Sequence, residues 1–140
     1  MTALRVLLCL LLFAPFLLRA QSEVVFTEVG CWEEVIELAK AENKPVFVDF
    51  YADWCPPCKA FNLEVLGDPA VARFLNRYYV NIKIDAETAT GREIAAGLGI
   101  KVYPTIYLLD HQGRTRQMIE GLPEREEFVS LIRQVRRMSR

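Results

Sequence analysis

The run Pro45 to Tyr51 (PVFVDFY) constrains the fold of this chain more than any other segment. It is almost entirely apolar and rich in β-branched and aromatic residues, which is typical of a central strand covered on both faces of a sheet. Asp49 interrupts the run, and burying a charge there is costly unless it is paired or neutralised. Because an acid at this place is hard to explain by packing alone, we predict a functional role for Asp49.

The other segments alternate between helical and extended patterns around this strand. The chain has 140 residues, 52% of them hydrophobic, which is enough for one domain whose core needs no disulfide. The patterns predict the element order β-α-β-α-β-α-β-β-α. The predicted strands after the central one cover residues 78–85, 102–110 and 115–120, and a short first strand is predicted at Val24–Phe26.

The N-terminal residues differ in composition from the rest of the chain. Arg5 precedes an apolar run, Val6 to Leu18, and Ala20 supplies a small residue after it, as in a secretory signal peptide. The run is shorter than the roughly 20 apolar residues that span a bilayer. We therefore predict a signal peptide at residues 1–20 and a mature domain at residues 21–140, with an uncleaved membrane anchor as the alternative.

Charge and histidine content narrow the classes of function. The formal charge is −1 and no long basic run occurs, so we expect no nucleic-acid partner. His111 is the only histidine, which leaves little room for a metal site. Export would let disulfides persist, and the odd number of cysteines in the mature chain means that at least one lies outside an internal structural pair. Cys31, near a helix start, is interpreted as a substitute for a capping serine, with a regulatory thiol as the alternative.

The pair Cys55 and Cys58 (WCPPCK) admits three interpretations. A structural zinc site usually needs four ligands, which this chain does not supply convincingly. A structural disulfide across two residues would remove little chain entropy from the unfolded state. Redox chemistry fits better, because a sulfur at a helix start faces unpaired N–H groups that favour the thiolate.

The local sequence also predicts a division of labour between the two sulfurs. Pro56 and Pro57 are tolerated only in the first helical turn and remove two N–H donors, while the N–H of Cys58 can point back at the Cys55 sulfur. We expect Cys55, at the exposed helix tip, to attack a substrate. Cys58, one turn further in, should resolve the mixed disulfide.

The segments VDFYADWCPPCK and VYPT, about fifty residues apart, resemble the thioredoxin family over residues 24–135. The sequences AENKPVFVDFYADWCPPCK and VLGDPAVARFLNRYYVNIKID are most similar to its exported branch, which includes the C-terminal domain of the DsbD thiol:disulfide interchange protein. The resemblance implies an α/β thioredoxin fold, in which helices flank a central mixed β-sheet.

The resemblance also implies roles for residues of the redox site. Cys55 corresponds to the nucleophile and Cys58 to the resolving cysteine. Asp49 corresponds to the buried acid that exchanges a proton with the resolving thiol. Asn81 stands roughly where cytosolic thioredoxins place a buried lysine near this acid, so we expect Asp49 to lack a lysine partner.

On the substrate side, the resemblance points to three further residues. Pro104 corresponds to the cis-proline that faces the disulfide. Tyr103 precedes it and would lend its backbone to an extended substrate strand. Trp54 corresponds to the tryptophan beside the cysteine motif, where a substrate would lie.

The expected function is that of a thiol–disulfide oxidoreductase that reduces disulfides of exported proteins. The alternatives are a disulfide oxidase or isomerase, and a binding module that uses the groove near Pro104 without turnover. No cofactor or metal is expected, because the sulfurs carry the electrons. The expected partners are protein dithiols or disulfides and an upstream electron donor, with a membrane redox partner as one option for that donor. We expect a periplasmic or secreted monomer.

If residues 1–20 are a signal peptide, the mature protein should begin at or near Gln21 and should be soluble outside the cytoplasm. N-terminal sequencing or intact mass of the exported product tests this expectation. Recovery of a chain with Met1 intact in the membrane fraction would instead support the anchor.

Overall fold

A computed structural model describes residues 23–139 of the chain. The predicted signal peptide, residues 1–20, therefore lies outside the described residues. Within residues 23–139, none of the helices combines the length and the apolar character that crossing a membrane requires.

The centre of the fold is a four-stranded mixed sheet. Its strands are β1 (Val46–Tyr51), β2 (Val80–Asp85), β3 (Thr105–Leu109) and β4 (Thr115–Glu120), arranged in the order β2-β1-β3-β4. The β1–β2 pairing is parallel, whereas β3 runs antiparallel to both β1 and β4. The apolar run predicted as a central strand thus has a neighbour on each side, and the mixed sheet confirms the predicted fold class.

Helices cover both faces of this sheet. They are α1 (Trp32–Glu42), α2 (Pro56–Ala60), a π-helical segment (Phe61–Leu66), α3 (Pro69–Tyr78), α4 (Ala89–Gly97) and α5 (Arg125–Met138). Because side chains alternate along a strand, β1 contributes to two cores. Val46, Val48 and Phe50 pack with α1 and α4, whereas Phe47 packs with the π-helical segment, α3 and α5. By the same alternation, Asp49 belongs to the face of Phe47.

The prediction of a first strand at Val24–Phe26 was wrong. The segment forms no ladder with β2: an isolated parallel bridge joins the next residue, Thr27, to Ile82, and Asn81 Nδ2 donates to the carbonyl of Val25. A side chain takes the place of a neighbouring strand, since Asn76 Oδ1 accepts the N–H of Val25 at 2.8 Å and Asn76 Nδ2 donates to the carbonyl of Glu23 at 2.7 Å. These bonds satisfy the backbone without a β-ladder.

The helix that begins after Cys55 does not have a uniform geometry. Its first turns are α-helical, and the residues from Phe61 to Leu66 are wound as a π-helix. Such segments are rare and occur frequently at functional sites. Here the π-helical segment begins three residues after Cys58.

Phe128 connects α5 to the elements that carry the cysteine pair. Its side chain is fully buried, with ring centroids 5.6 Å from Phe47 of β1 and 5.3 Å from Phe61 of the π-helical segment. Phe128→Ala should lower the free energy of unfolding by about 3–5 kcal/mol, because it removes buried apolar area and leaves a cavity. The exposed Gln134→Ala, on the same helix, should change it by less than about 0.5 kcal/mol. Urea denaturation of both variants checks this, and a small loss for Phe128→Ala would contradict the packing described.

Candidate active site

The cysteine pair lies where the chain leaves β1 and enters α2. Cys55 is the N-cap of α2, Pro56 and Pro57 occupy its first positions, and Cys58 follows. Cys55 and Cys58 form a disulfide, and the N–H of Cys58 donates to Cys55 Sγ at 3.2 Å. The structure thus confirms the predicted helix start, the proline positions and the hydrogen bond back to the sulfur.

The prediction that Cys55 lies at an exposed tip was wrong. Both cysteines are only 2% exposed. Ala52 packs with them, and the partly buried Tyr51 and Tyr103 pack against this small cluster. Tyr103 comes from the segment before β3, far along the chain, so the local sequence around Cys55 gave no sign of this cover.

Asp49 is buried in β1 and forms an ion pair. Its side chain is 1% exposed, and Lys83 Nζ lies 2.6 Å from Asp49 Oδ2. The other oxygen, Oδ1, is buried and accepts no hydrogen bond from residues 23–139. Burial raises the pKa of the Asp49 carboxyl above its usual value, and the charge and hydrogen bond of Lys83 oppose that rise. The carboxyl is therefore a weaker acid than an exposed aspartate.

The expectation that Asp49 lacks a lysine partner was wrong. Asn81 indeed stands opposite Phe47, but the parallel register of β1 and β2 places Lys83 opposite Asp49. Residues that pair in register on neighbouring strands share a face of the sheet, so Lys83 on β2 reaches Asp49 on β1. The sequence showed that apolar and polar residues alternate along β2, but it did not show how β2 is aligned against β1.

Lys83 also contacts residues that the sequence did not single out. Its ammonium lies 2.7 Å from Asn62 Oδ1, on the π-helical segment. It also lies 4.7 Å from the ring centroid of Tyr51 and 5.3 Å from that of Phe26. Asn62 comes four residues after Cys58, a spacing that places two side chains on one helical face. That spacing is the one signal by which the sequence pointed to Asn62.

Of the three residues predicted on the substrate side, Trp54 and Tyr103 lie against each other, and Pro104 follows Tyr103 in the chain. Trp54 is 65% exposed, and its ring meets that of Tyr103 edge-on with centroids 6.3 Å apart. Tyr103 reaches the cysteine cluster, and the Tyr103–Pro104 peptide is cis, as the resemblance implied. The carbonyl of Pro104 accepts the N–H of Gly121 at 2.8 Å. An exposed aromatic surface therefore borders the buried disulfide.

Cys31 lies apart from these contacts. It is the N-cap of α1, its side chain accepts no capping hydrogen bond, and it forms no disulfide within residues 23–139. In that part of the chain, no three His, Cys, Asp or Glu side chains are grouped so that they could hold a metal ion.

Sequence comparisons place these features in a known family. The profile of the thioredoxin-like domain matches residues 32–136. Among curated proteins, the DsbD thiol:disulfide interchange protein of Vibrio vulnificus (strain YJ016) is 33% identical over 130 residues, which cover 88% of this chain and 22% of DsbD. The protein of the same name from Escherichia coli (strain K12) is 29% identical over 119 residues, which cover 82% of this chain and 21% of DsbD. The chain thus spans about a fifth of the length of these relatives.

Solved structures agree with this placement. A thioredoxin from Thermus thermophilus superimposes with a TM-score of 0.67 at 29% identity, covering 81% of this chain and 87% of the thioredoxin. Spinach chloroplast thioredoxin f, in its short form, gives a TM-score of 0.63 at 26% identity, covering 82% and 95%. The chain therefore belongs to the thioredoxin-like family, and its CxxC cysteines, Cys55 and Cys58, form a disulfide.

Proposed function

We propose that this domain reduces disulfides of exported proteins, with Cys55 as the nucleophile and Cys58 as the resolving cysteine. The observation that carries the assignment of Cys55 as the nucleophile is the hydrogen bond from the N–H of Cys58 to Cys55 Sγ at the start of α2. A backbone donor in this place stabilises the Cys55 sulfur as a thiolate once the pair is reduced. The Cys58 sulfur has no corresponding place at the helix start, because Cys58 lies within α2.

The reaction needs only the two sulfurs and a protein substrate. The Cys55 thiolate attacks one sulfur of a substrate disulfide, forms a mixed disulfide and releases the other substrate sulfur as a thiolate. The Cys58 thiolate then attacks Cys55 Sγ, restores the Cys55–Cys58 disulfide and releases the second substrate sulfur. Two electrons pass to the substrate, and an upstream dithiol donor must reduce the pair again.

Asp49 is suited to take the proton of Cys58 before the second attack. Its raised pKa brings the carboxyl closer to the range of a thiol, and a smaller difference favours proton transfer between two groups. Lys83 occupies Oδ2, so Oδ1 is the oxygen that exchanges the proton. Asp49 acts in this proposal as the general base for the resolving step.

The exposed side of the site would receive the substrate. Trp54 and Tyr103 form an aromatic surface, and the backbone at Tyr103–Pro104 would pair with an extended substrate segment. Because Cys55 is almost fully buried, a thin extended segment reaches its sulfur more easily than a flat protein surface does. We therefore propose disulfides in extended or unfolded segments as substrates.

The place of action is also a proposal. It is supported by the similarity to DsbD proteins and by the signal-peptide pattern at residues 1–20. We propose that a mature domain, residues 21–140, acts outside the cytoplasm and receives its electrons from a dithiol donor, for which a membrane protein is one option. A monomeric state stays a prediction.

Exchanging the cysteines separates their roles. Cys58→Ser should leave Cys55 able to attack but nothing to resolve the adduct, so substrates should accumulate as mixed disulfides on Cys55. Cys55→Ser should trap none. Non-reducing gels and mass spectrometry after incubation with insulin measure the adducts.

A third cysteine variant provides the control. Cys31→Ser removes the thiol that lies apart from the site, and it should leave both trapping and insulin reduction unchanged. The redox assignment fails if Cys55→Ser and Cys58→Ser both reduce insulin as fast as the parent protein.

The direction of electron flow follows from how strongly the Cys55 thiolate is stabilised. Pro56 and Pro57 remove two N–H donors from the helix start, which limits that stabilisation. We therefore expect a reduction potential nearer to the about −270 mV of thioredoxin than to the about −120 mV of DsbA. Equilibration in glutathione or dithiothreitol buffers, with alkylation and mass analysis, gives the value. A potential near that of DsbA would favour the oxidase alternative.

A further inference from the structure

One ammonium group joins three elements of the site. Lys83 Nζ, on β2, lies 2.6 Å from Asp49 Oδ2 on β1 and 2.7 Å from Asn62 Oδ1 on the π-helical segment. Asn62 is half-buried and follows Cys58 by one helical turn. Asp49 and Asn62 therefore hold the same cation, one with a charged oxygen and the other with a neutral one.

The Lys83 ammonium lies in a mostly buried environment next to aromatic rings. The Lys83 side chain is only 20% exposed, and the rings of Tyr51 and Phe26 lie against its ammonium. An ammonium has three N–H donors, and two of them are directed at Asp49 and Asn62. Without the oxygen of Asn62, one donor would lose its acceptor in a site with little access to water, and the ammonium would be held less firmly against Asp49.

We propose that Asn62 is a positioning residue for the redox reaction: its amide oxygen holds the Lys83 ammonium against Asp49, and this contact decides how readily Asp49 takes up a proton. The proposal rests on the role of Asp49 given under the proposed function. Asn62 acts through Lys83, because the hydrogen bond that the structure shows runs to the ammonium.

The neutrality of the Asn62 amide decides in which direction this residue shifts the ionisation of Asp49. A carboxylate at residue 62 would also accept from Lys83, but it would add a negative charge next to Asp49 and make ionisation of both acids harder. An apolar side chain would accept nothing. Asparagine therefore supports the ammonium without opposing the ionised form of Asp49.

Few other groups can influence Asp49. On β2 its neighbour is Lys83, and on β3 its neighbour in register is Ile106, which carries no charge. Tyr51, two residues along β1, is titratable, but burial and nearby carboxylates raise its pKa above the usual value for tyrosine. In the oxidised protein the cysteine pair does not titrate. A change in the titration of Asp49 can therefore be traced to Lys83 and to what holds it.

Titration of the Asp49 carboxyl carbon by ¹³C NMR in the oxidised protein tests the proposal. Asp49→Asn identifies the resonance by its loss. Asn62→Leu should move the midpoint to higher pH by about one unit, the usual spread of side-chain pKa values in folded proteins. Leu63→Ala, at the next residue and 78% exposed, should leave the midpoint unchanged. An unchanged midpoint in Asn62→Leu would overturn the proposal.

A double variant shows whether the effect passes through Lys83. In a Lys83→Met background, the midpoint of Asp49 should already be high, and adding Asn62→Leu should not move it further. An equal shift in both backgrounds would overturn the proposal, because Asn62 would then act directly or through packing. Asn62→Ala and Lys83→Gln carry the same expectations if the first variants do not fold.

These measurements involve no turnover. If Cys58→Ser traps no substrate while the midpoint still depends on Asn62, the proposed function fails and the electrostatic role of Asn62 remains. If trapping succeeds and the midpoint does not move, the proposed function stands and the role of Asn62 is excluded.

Discussion

The charge of Asp49 sits in a strand that is buried on both faces of the sheet, and the packing around β1 is arranged to hold it. Removing a carboxylate from water costs several kcal/mol, which a nearby cation offsets only if the geometry is good. The parallel register of β1 and β2 supplies that cation by setting Lys83 opposite Asp49. The offset is incomplete, since burial outweighs Lys83 and the pKa of Asp49 stays raised. A raised pKa is what the proposed proton exchange with Cys58 would need.

The same strand positions the sulfurs. β1 ends at Tyr51, and only three residues separate it from Cys55 at the start of α2, so the acid and the disulfide lie on consecutive elements. Distant segments complete the site, since Tyr103 covers the cysteines and Phe26 covers Lys83. The chemistry is therefore local in sequence, whereas its burial and electrostatics come from residues far along the chain.

This division explains what the sequence predicted and what it did not. The central strand, the hairpin of β3 and β4 and the redox pair follow from local patterns of apolar residues, prolines and cysteines. Lys83 and the cover over Cys55 depend on strand register and on chain segments that meet only in the fold. The π-helical winding around Asn62 has the same apolar spacing as an α-helix, so the sequence pattern did not distinguish the two. At Val24–Phe26, the side chain of Asn76 replaced a ladder that the pattern had predicted.

The ion pair also changes which groups govern the stability of the reduced form. A lone ionised Asp49 would oppose a thiolate nearby, and this would make the disulfide less oxidising. Lys83 Nζ lies 2.6 Å from Asp49 Oδ2, and its positive charge weakens that opposition. The backbone donors at the start of α2 also act on the Cys55 thiolate, and Pro56 and Pro57 remove two of them. The expectation of a reducing potential therefore rests on the two prolines between the cysteines, whereas Asp49 and Lys83 would act, in the proposed mechanism, on the movement of the proton.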